Sequence, residues 1–247
     1  MNIPAFSILS LFIGLMIGFY FINERRDGNN LRDIPAFYRL QGAIELAVED
    51  GTRIHVSLGR SEITSPQSMV AMVGLSMLKK ISLVSVESDN PPIASTGSGG
   101  LAILAQDTLR STYDSLGVSA LYDHHLGRVT GLTPYSFAAG TMPIIIDEEV
   151  TANVMIGSFG DEAALITSAG ERSRTFTVAA TDNIPGQAVL YASAHEPIIG
   201  EELFAGGAYI GAGKMHIASL HAQDVVRWII ILFILIGSVL SLMLGLF

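Results

Sequence analysis

All 14 Lys and Arg residues and all 23 Asp and Glu residues of this 247-residue chain lie between positions 24 and 227. Residues 1–23 and 228–247 therefore carry no formal charge, and charge-free stretches of that length do not cover a globular surface in water. The run Ile3 to Ile22, IPAFSILSLFIGLMIGFYFI, is long enough to cross ~30 Å of hydrocarbon as a helix. Trp228 to Phe247 is a second such run. The first reads as an uncleaved anchor rather than a signal peptide: Met1 and Asn2 are not basic, and no small-residue cleavage site precedes Glu24-Arg25-Arg26.

Lys/Arg excess marks the cytoplasmic side of a membrane, and Arg25, Arg26, Arg32 and Arg39 follow the first run while Arg227 precedes the second. Both signals agree on a cytoplasmic body with both termini outside. The expected division is a transmembrane helix at 1–23, a linker at 24–34 and a cytoplasmic α/β domain at 35–196. A helical connector at 197–227 and a second transmembrane helix at 228–247 complete it. Ser10, Gly14 and Gly18 recur every four residues, as do Gly237, Ser241 and Gly245. That spacing lines small residues along one face, where another helix can approach closely. The faces are expected to pack on each other or on a neighbouring subunit, although Gly and Ser are common in membrane helices in any case. The partners implied are the lipid bilayer and a homo-oligomer or other membrane subunits.

The stretch between the two apolar runs carries the whole net charge of -9, which repels nucleic acid rather than neutralising its phosphates. The absence of cysteine excludes disulfides, thiolate catalysis and Cys-ligated zinc. Within the body one pattern occurs twice. Ile93 to Gln106, IASTGSGGLAILAQ, is a short apolar run that breaks into a glycine loop and reopens as a helix. Val178 to Ser193, VAATDNIPGQAVLYAS, repeats the order of Val-Ala-small-Thr, loop, Gly and apolar helix.

Around these words the periodicity predicts a helix over Pro35 to Asp50, a strand over Ile54 to Leu58 and a helix over Gln67 to Lys80, with Ile81 to Val86 as strand or continued helix. A helix over Leu101 to Leu116 and a strand over Val118 to Tyr122 follow, and then a loop from His124 to Thr133 with a short β tendency at Val129. From Pro134 the order restarts: helix to Glu149, strand Asn153 to Phe159, helix Asp161 to Ser168, strand Thr175 to Ala180 and helix Pro185 to Ala194. We read pseudo-repeats at 35–116 and 134–196. Alternating helices and strands predict an α/β fold, a mainly parallel sheet with helices on both faces. From Pro197 the chain reads as helix broken near Gly211 to Gly213.

The loops at the strand C-terminal ends, Gly59-Arg60-Ser61, Thr96 to Gly100, Gly160-Asp161-Glu162 and Thr181-Asp182-Asn183, share one edge of such a sheet, where a ligand would bind. There, Gly97-Ser98-Gly99-Gly100-Leu101-Ala102 fits G-x-G-x-x-A. Thr96, Gly97, Ser98, Gly99 and Gly100 are thus the candidate ligand-binding residues, with Asp123, expected at the end of the next strand, as the acid toward a ribose. A plain tight turn explains the glycines equally, and the second copy brings Asp182 where a phosphate needs donors. No cofactor is assigned, with nucleotide as the alternative.

Asp123-His124-His125 offers oxygen and nitrogen ligands in a row, but adjacent residues rarely converge on one ion without a distant ligand such as His195, and no metal site is assigned. His55 reads as a hydrogen-bonded core histidine, and His216 and His221 as interfacial. Asp147-Glu148-Glu149 reads as a solvated helix end. Ser57, Ser95 and Ser158 show no His-Asp partners, so catalytic residues are unknown.

The words IPAF, EDGTRIHVSLG, EEVTANVMIGSFGDE, IIGEELFAGGAYIG and HIASLHAQDVVRW resemble an uncharacterised family of bacterial membrane proteins, a domain of unknown function flanked by terminal transmembrane helices. The resemblance runs from Ile34 to the second span and implies architecture but no activity. Three functions are open: a non-enzymatic membrane-anchored scaffold or accessory subunit, a nucleotide or small-ligand sensor, and a membrane-bound hydrolase or transferase. A transporter is disfavoured, since uncharged spans offer no intramembrane polar pathway.

Overall fold

The computed structural model describes residues 3–24, 32–65, 68–86, 88–209, 211 and 214–243. The chain divides into two compact units, 1–32 with 213–247 and 33–212. The first unit contains helix α1, Ile3–Glu24, and a long helix that closes the chain. The second is the α/β body. Its elements in order are α2 (Pro35–Glu49), β1 (Arg53–Gly59), α3 (Ser68–Ser85), β2 (Ile93–Thr96), α4 (Gly99–Ser115), β3 (Gly127–Val129), α5 (Pro134–Asp147), β4 (Val150–Ser158), α6 (Ala163–Arg172), β5 (Phe176–Thr181), α7 (Ile184–Ser193), β6 (Glu196–Ile198) and α8 (Glu202–Tyr209). The closing helix, α9, spans Lys214–Met243.

The six strands form one sheet in the order β3-β2-β1-β4-β5-β6, and all five pairings are parallel. This is the doubly wound order, in which the first half of the chain builds outward one way and the second half the other. Parallel strands need crossovers, and burial on both faces makes their sequences near-continuously apolar. β1 is accordingly buried from Ile54 to Gly59. One face presents Ile54, Val56, Leu58, Val154, Ile156 and Val178 to a core completed by α2, α3, α4 and Leu203 of α8. On the other, Met155 and Ala179 meet Phe137, Ala163, Ile166 and Leu190 from α5, α6 and α7.

The expected α/β class and mainly parallel sheet with helices on both faces are what the chain forms. Each half also runs helix-strand-helix-strand-helix-strand, α2 to β3 and α5 to β6. Three expectations need correction. Val118 to Tyr122 is not a strand: α4 ends at Ser115, Gly117 with a φ of +75° turns the chain away, and a 3-10 turn follows at Ser119–Leu121. Tyr122 instead packs its ring on Tyr113 at 5.6 Å and donates its hydroxyl to the Gln106 carbonyl at 3.1 Å. The strand of that half is Gly127–Val129, which lies in the expected loop and ends on Val129, the residue with the β tendency. Finally, Glu196–Ile198 adds an edge strand, β6; of the two readings of Ile81 to Val86, the continued helix is the one formed, through Ser85.

Two helices are long and apolar enough to cross a bilayer, by length and composition. α3 is one, yet half of it is buried as a core helix of the body. The other is α9, whose Met215–Leu242 run is unburied in the chain from Gln223 to Leu242. In α1 the apolar stretch Leu9–Ile22 is shorter. Within their unit α1 and α9 touch, with Phe19 and His221 rings 5.6 Å apart. A Cβ placed on Gly14, Gly18 or Gly237 meets nothing within 4 Å, and Ser10 is exposed and Ser241 half-buried. Gly245, Arg25, Arg26, Pro66, Gln67 and Gly213 lie outside the described residues.

Candidate functional site

In a parallel sheet all strands end on one edge, and the doubly wound order opens a crevice where β1 and β4 part toward opposite halves. The loops there are Gly59-Arg60-Ser61 after β1 and Phe159 to Glu162 after β4. Gly59 takes φ +63°, and a Cβ on it would lie 2.7 Å from the Ser158 carbonyl oxygen, so only glycine lets the two strands stay this close. Ser61 is fully buried and its Oγ accepts the Ser158 N–H at 2.9 Å.

The two sequence-matched turns flank this crevice and share one device. Thr96 Oγ1 donates to the Gly59 carbonyl at 3.0 Å and accepts from Ser98 N at 3.2 Å. Thr181 Oγ1 donates to the Phe159 carbonyl at 3.2 Å and accepts from Asn183 N at 3.3 Å. Each threonine thus ties its turn to the neighbouring strand end. The turns then diverge. Asn183 caps α7 by accepting from Gly186 N at 3.3 Å, whereas Ser98 makes no side-chain cap and leaves the first amides of α4, at the exposed Gly99 and Gly100, without one.

Gly97 is buried because the Arg60 side chain lies along it: a Cβ there would collide with Arg60 Cγ. The Arg60 Nε is buried with no partner. The first-half side of the edge therefore offers a guanidinium, the Ser98 hydroxyl and free helix N–H groups, a set suited to an anion. The second-half side offers acids. Glu162 is 2% exposed, Asp182 Oδ1 is buried without a partner, and Asp161 accepts from the Tyr135 hydroxyl at 2.6 Å. That bond holds the Asp161 carboxyl below its usual range and pushes the Tyr135 phenol up. The edge is split in charge, so an anion fits only beside Arg60.

Asp123 is not part of it. It precedes β3, on the side where strands begin, and its neighbour's carbonyl, that of His124, receives Gln106 Nε2 at 3.3 Å. Gln106 is seven residues into α4, ~10 Å along the helix from Gly99. An acid placed there does not meet a ribose held at Gly97 to Gly100. Asp123 instead accepts from His125 N at 2.8 Å, which holds its carboxyl below the usual range. Asp123, His124 and His125 keep their ligand atoms within 4.8 Å of one another and are all exposed. His195 is no fourth ligand: it accepts from Thr177 N at 3.3 Å beside β6, five strand spacings or ~24 Å from the β3 edge.

A second polar cluster crosses the middle of the sheet. Register puts His55 opposite Asn153 and Ser57 opposite Ser95. His55 Nδ1 lies 2.8 Å from Asn153 Oδ1 and its Nε2 2.8 Å from Ser95 Oγ, itself 3.3 Å from Ser57 Oγ. All four residues are at most 1% exposed. Burial pushes the imidazole down to about 4, so the ring is neutral. His55 is the hydrogen-bonded core histidine its apolar neighbours suggest. Ser57 and Ser95 do sit beside a histidine, but a serine sealed inside a sheet cannot reach a substrate. Where the strands begin, Glu148 takes Arg53 at 3.2 Å and both Nη atoms of Arg128, so it is an ion-pair hub rather than a solvated helix end.

The sequence places Arg60 and Glu162 on the ligand edge through their strand-end loops without singling either out, and Asn153 it does not mark at all, since only the tertiary fold brings that side chain to His55. No curated protein and no solved structure matches the chain. A family model does, over residues 2–246, and the chain belongs to that family, the domain of unknown function DUF6754.

Proposed function

We propose that the protein is a membrane-anchored, non-enzymatic scaffold or accessory subunit of a bacterial membrane complex, working through contacts of its α/β body. The observation that carries this reading is the 28-residue apolar run Met215–Leu242 of α9, in which no residue from Gln223 onward is buried in the chain. An apolar helix of that length needs hydrocarbon or a partner around it. The charge-free start of α1 supplies a second candidate span, and Arg25, Arg26, Arg32, Arg39 and Arg227 support a cytoplasmic body. The open faces at Ser10, Gly14, Gly18 and Gly237 suit a further copy or another subunit. The repeated element order supports descent of the two halves from one duplicated unit. Expressed whole, the chain should pellet with membranes, resist alkaline carbonate and leave detergent extraction as an oligomer or with a constant companion. Release by carbonate, or a lone monomer in mild detergent, would overturn it.

A second reading, a sensor of a nucleotide or other small anion, is favoured by the unpartnered Arg60 Nε beside Gly97. A nucleotide that binds there raises the melting temperature of the wild type but not of Arg60→Ala. Unchanged melting across a nucleotide panel removes this reading.

A further inference from the structure

A cavity of about 340 Å³ opens between α2, α3 and the end of α8, inside the α/β body and on the side face of the sheet rather than at its strand-end edge. That volume falls within the ~300–1,000 Å³ of small-molecule sites. Its chemistry is sorted by depth. Phe37, Ile44 and Ile81 are buried at its base, and Val84, 56% exposed, continues the apolar wall outward. Tyr209 closes one side by stacking on Phe37, ring centroids 4.9 Å apart. At the mouth stands Lys80. Glu45 lines the same cavity but receives Gln41 Nε2 at 3.0 Å, and among the described residues no ion pair engages the Lys80 ammonium.

We propose that this cavity binds an amphiphile with a single acyl chain and an anionic head: the chain lies against Ile44, Ile81 and Val84, and the head pairs with Lys80. An apolar slot ended by one unpaired cation matches that shape and charge pattern. Access to such a ligand rests on the membrane reading above. Gly211 on the rim precedes the apolar run at Met215 by four residues, at most ~14 Å of chain.

The test uses the full chain in phosphatidylcholine nanodiscs, irradiated with diazirine-bearing palmitic acid, lysophosphatidic acid or hexadecanol and mapped by peptide mass spectrometry. The two acids are expected to label residues 37–45 and 80–84 about tenfold more than the alcohol does, and the stronger of them names the source of the head group. Lys80→Glu should cut that labelling about tenfold, the worth of one charge-assisted bond. Val84→Trp, at a half-exposed site, should block it while leaving the melting temperature unchanged. Label on α9 without label on α2 or α3 overturns the site and leaves the membrane reading standing. Label on α2 and α3 with none on α1 or α9 keeps the site and removes the membrane reading. Equal labelling by the alcohol, or wild-type labelling of Lys80→Glu, overturns the anionic head.

Discussion

Thr96 and Thr181 hold the same post in the two halves of the sheet, each hydroxyl giving its proton to the strand-end carbonyl next door and taking the N–H two residues on. Their surroundings make them unequal. Thr181 Oγ1 also accepts from Phe159 N at 2.9 Å, while the Gly59 carbonyl served by Thr96 has a second donor in Gly97 N at 2.9 Å. Thr181→Val therefore strands a buried amide and should cost about 2–3 kcal/mol, and Thr96→Val about 1 kcal/mol. Denaturant melts of the two variants check the order.

The neutral His55 makes stability depend on pH. Its folded pKa of about 4 lies below the 6.5 of a free imidazole, so the unfolded chain takes up the proton first as pH falls. The contribution is whole above pH 6.5 and is lost progressively down to about pH 4. That gap amounts to about 3 kcal/mol. His55→Gln, though less stable at neutral pH, should lose less on going from pH 7 to 4.5. Parallel pH profiles of wild type and variant would refute the assignment.

Two glycines of the same edge should respond oppositely to alanine. A Cβ on Gly157 collides with the Leu58 carbonyl, forcing β1 and β4 apart at the centre of the sheet, so Gly157→Ala should cost at least about 3 kcal/mol or abolish folding. A Cβ on Gly99 meets nothing within 4 Å, and the residue opens α4. Gly99→Ala should leave the melting temperature unchanged or raise it, by about 0.5–1 kcal/mol at most. If it also leaves a nucleotide-induced shift intact, close backbone approach at Gly99 plays no part in binding.

Glu148 joins Arg53 of β1 to Arg128 of β3, with side chains 18–34% exposed. Its removal leaves two half-buried cations facing each other. Glu148→Ala should cost about 1–2 kcal/mol, more at low salt than at high. A loss independent of ionic strength would point to packing instead.

The sequence made the central strands legible because each is long, buried on both faces and punctuated. Gly59 ends β1, Thr133 and Pro134 open α5 with a reciprocal cap to Ser136, and Asn183 caps α7. Of the edge strands, β3 showed only as a β tendency at Val129 and β6 not at all, because three residues carry no periodicity and they are strands only through their pairing with β2 and β5. Val118 to Tyr122 misled for the converse reason, since its β-rich composition is overruled by the left-handed Gly117 and by the Tyr113 ring beneath Tyr122. At the candidate site, the twin turns could be read from their Thr-loop-Gly words. The partners at the crevice and under α5 could not, because Arg60 meets Gly97 and His55 meets Asn153 only across strands distant in the chain.

The place of β1 at the middle of the sheet has a consequence for how the chain is made. Val56 pairs with Val154, 98 positions later, so β1 leaves the ribosome roughly 5–20 s before its central neighbour exists. During that interval α2 to β3 can pack as a half-sheet, but the edge of β1 that will meet β4 stays unpaired. The nascent chain thus passes through a stage in which a strand buried in the finished sheet is an open template. Helix α9 follows β4 in the chain, so it emerges only once the strand that seals that edge is available.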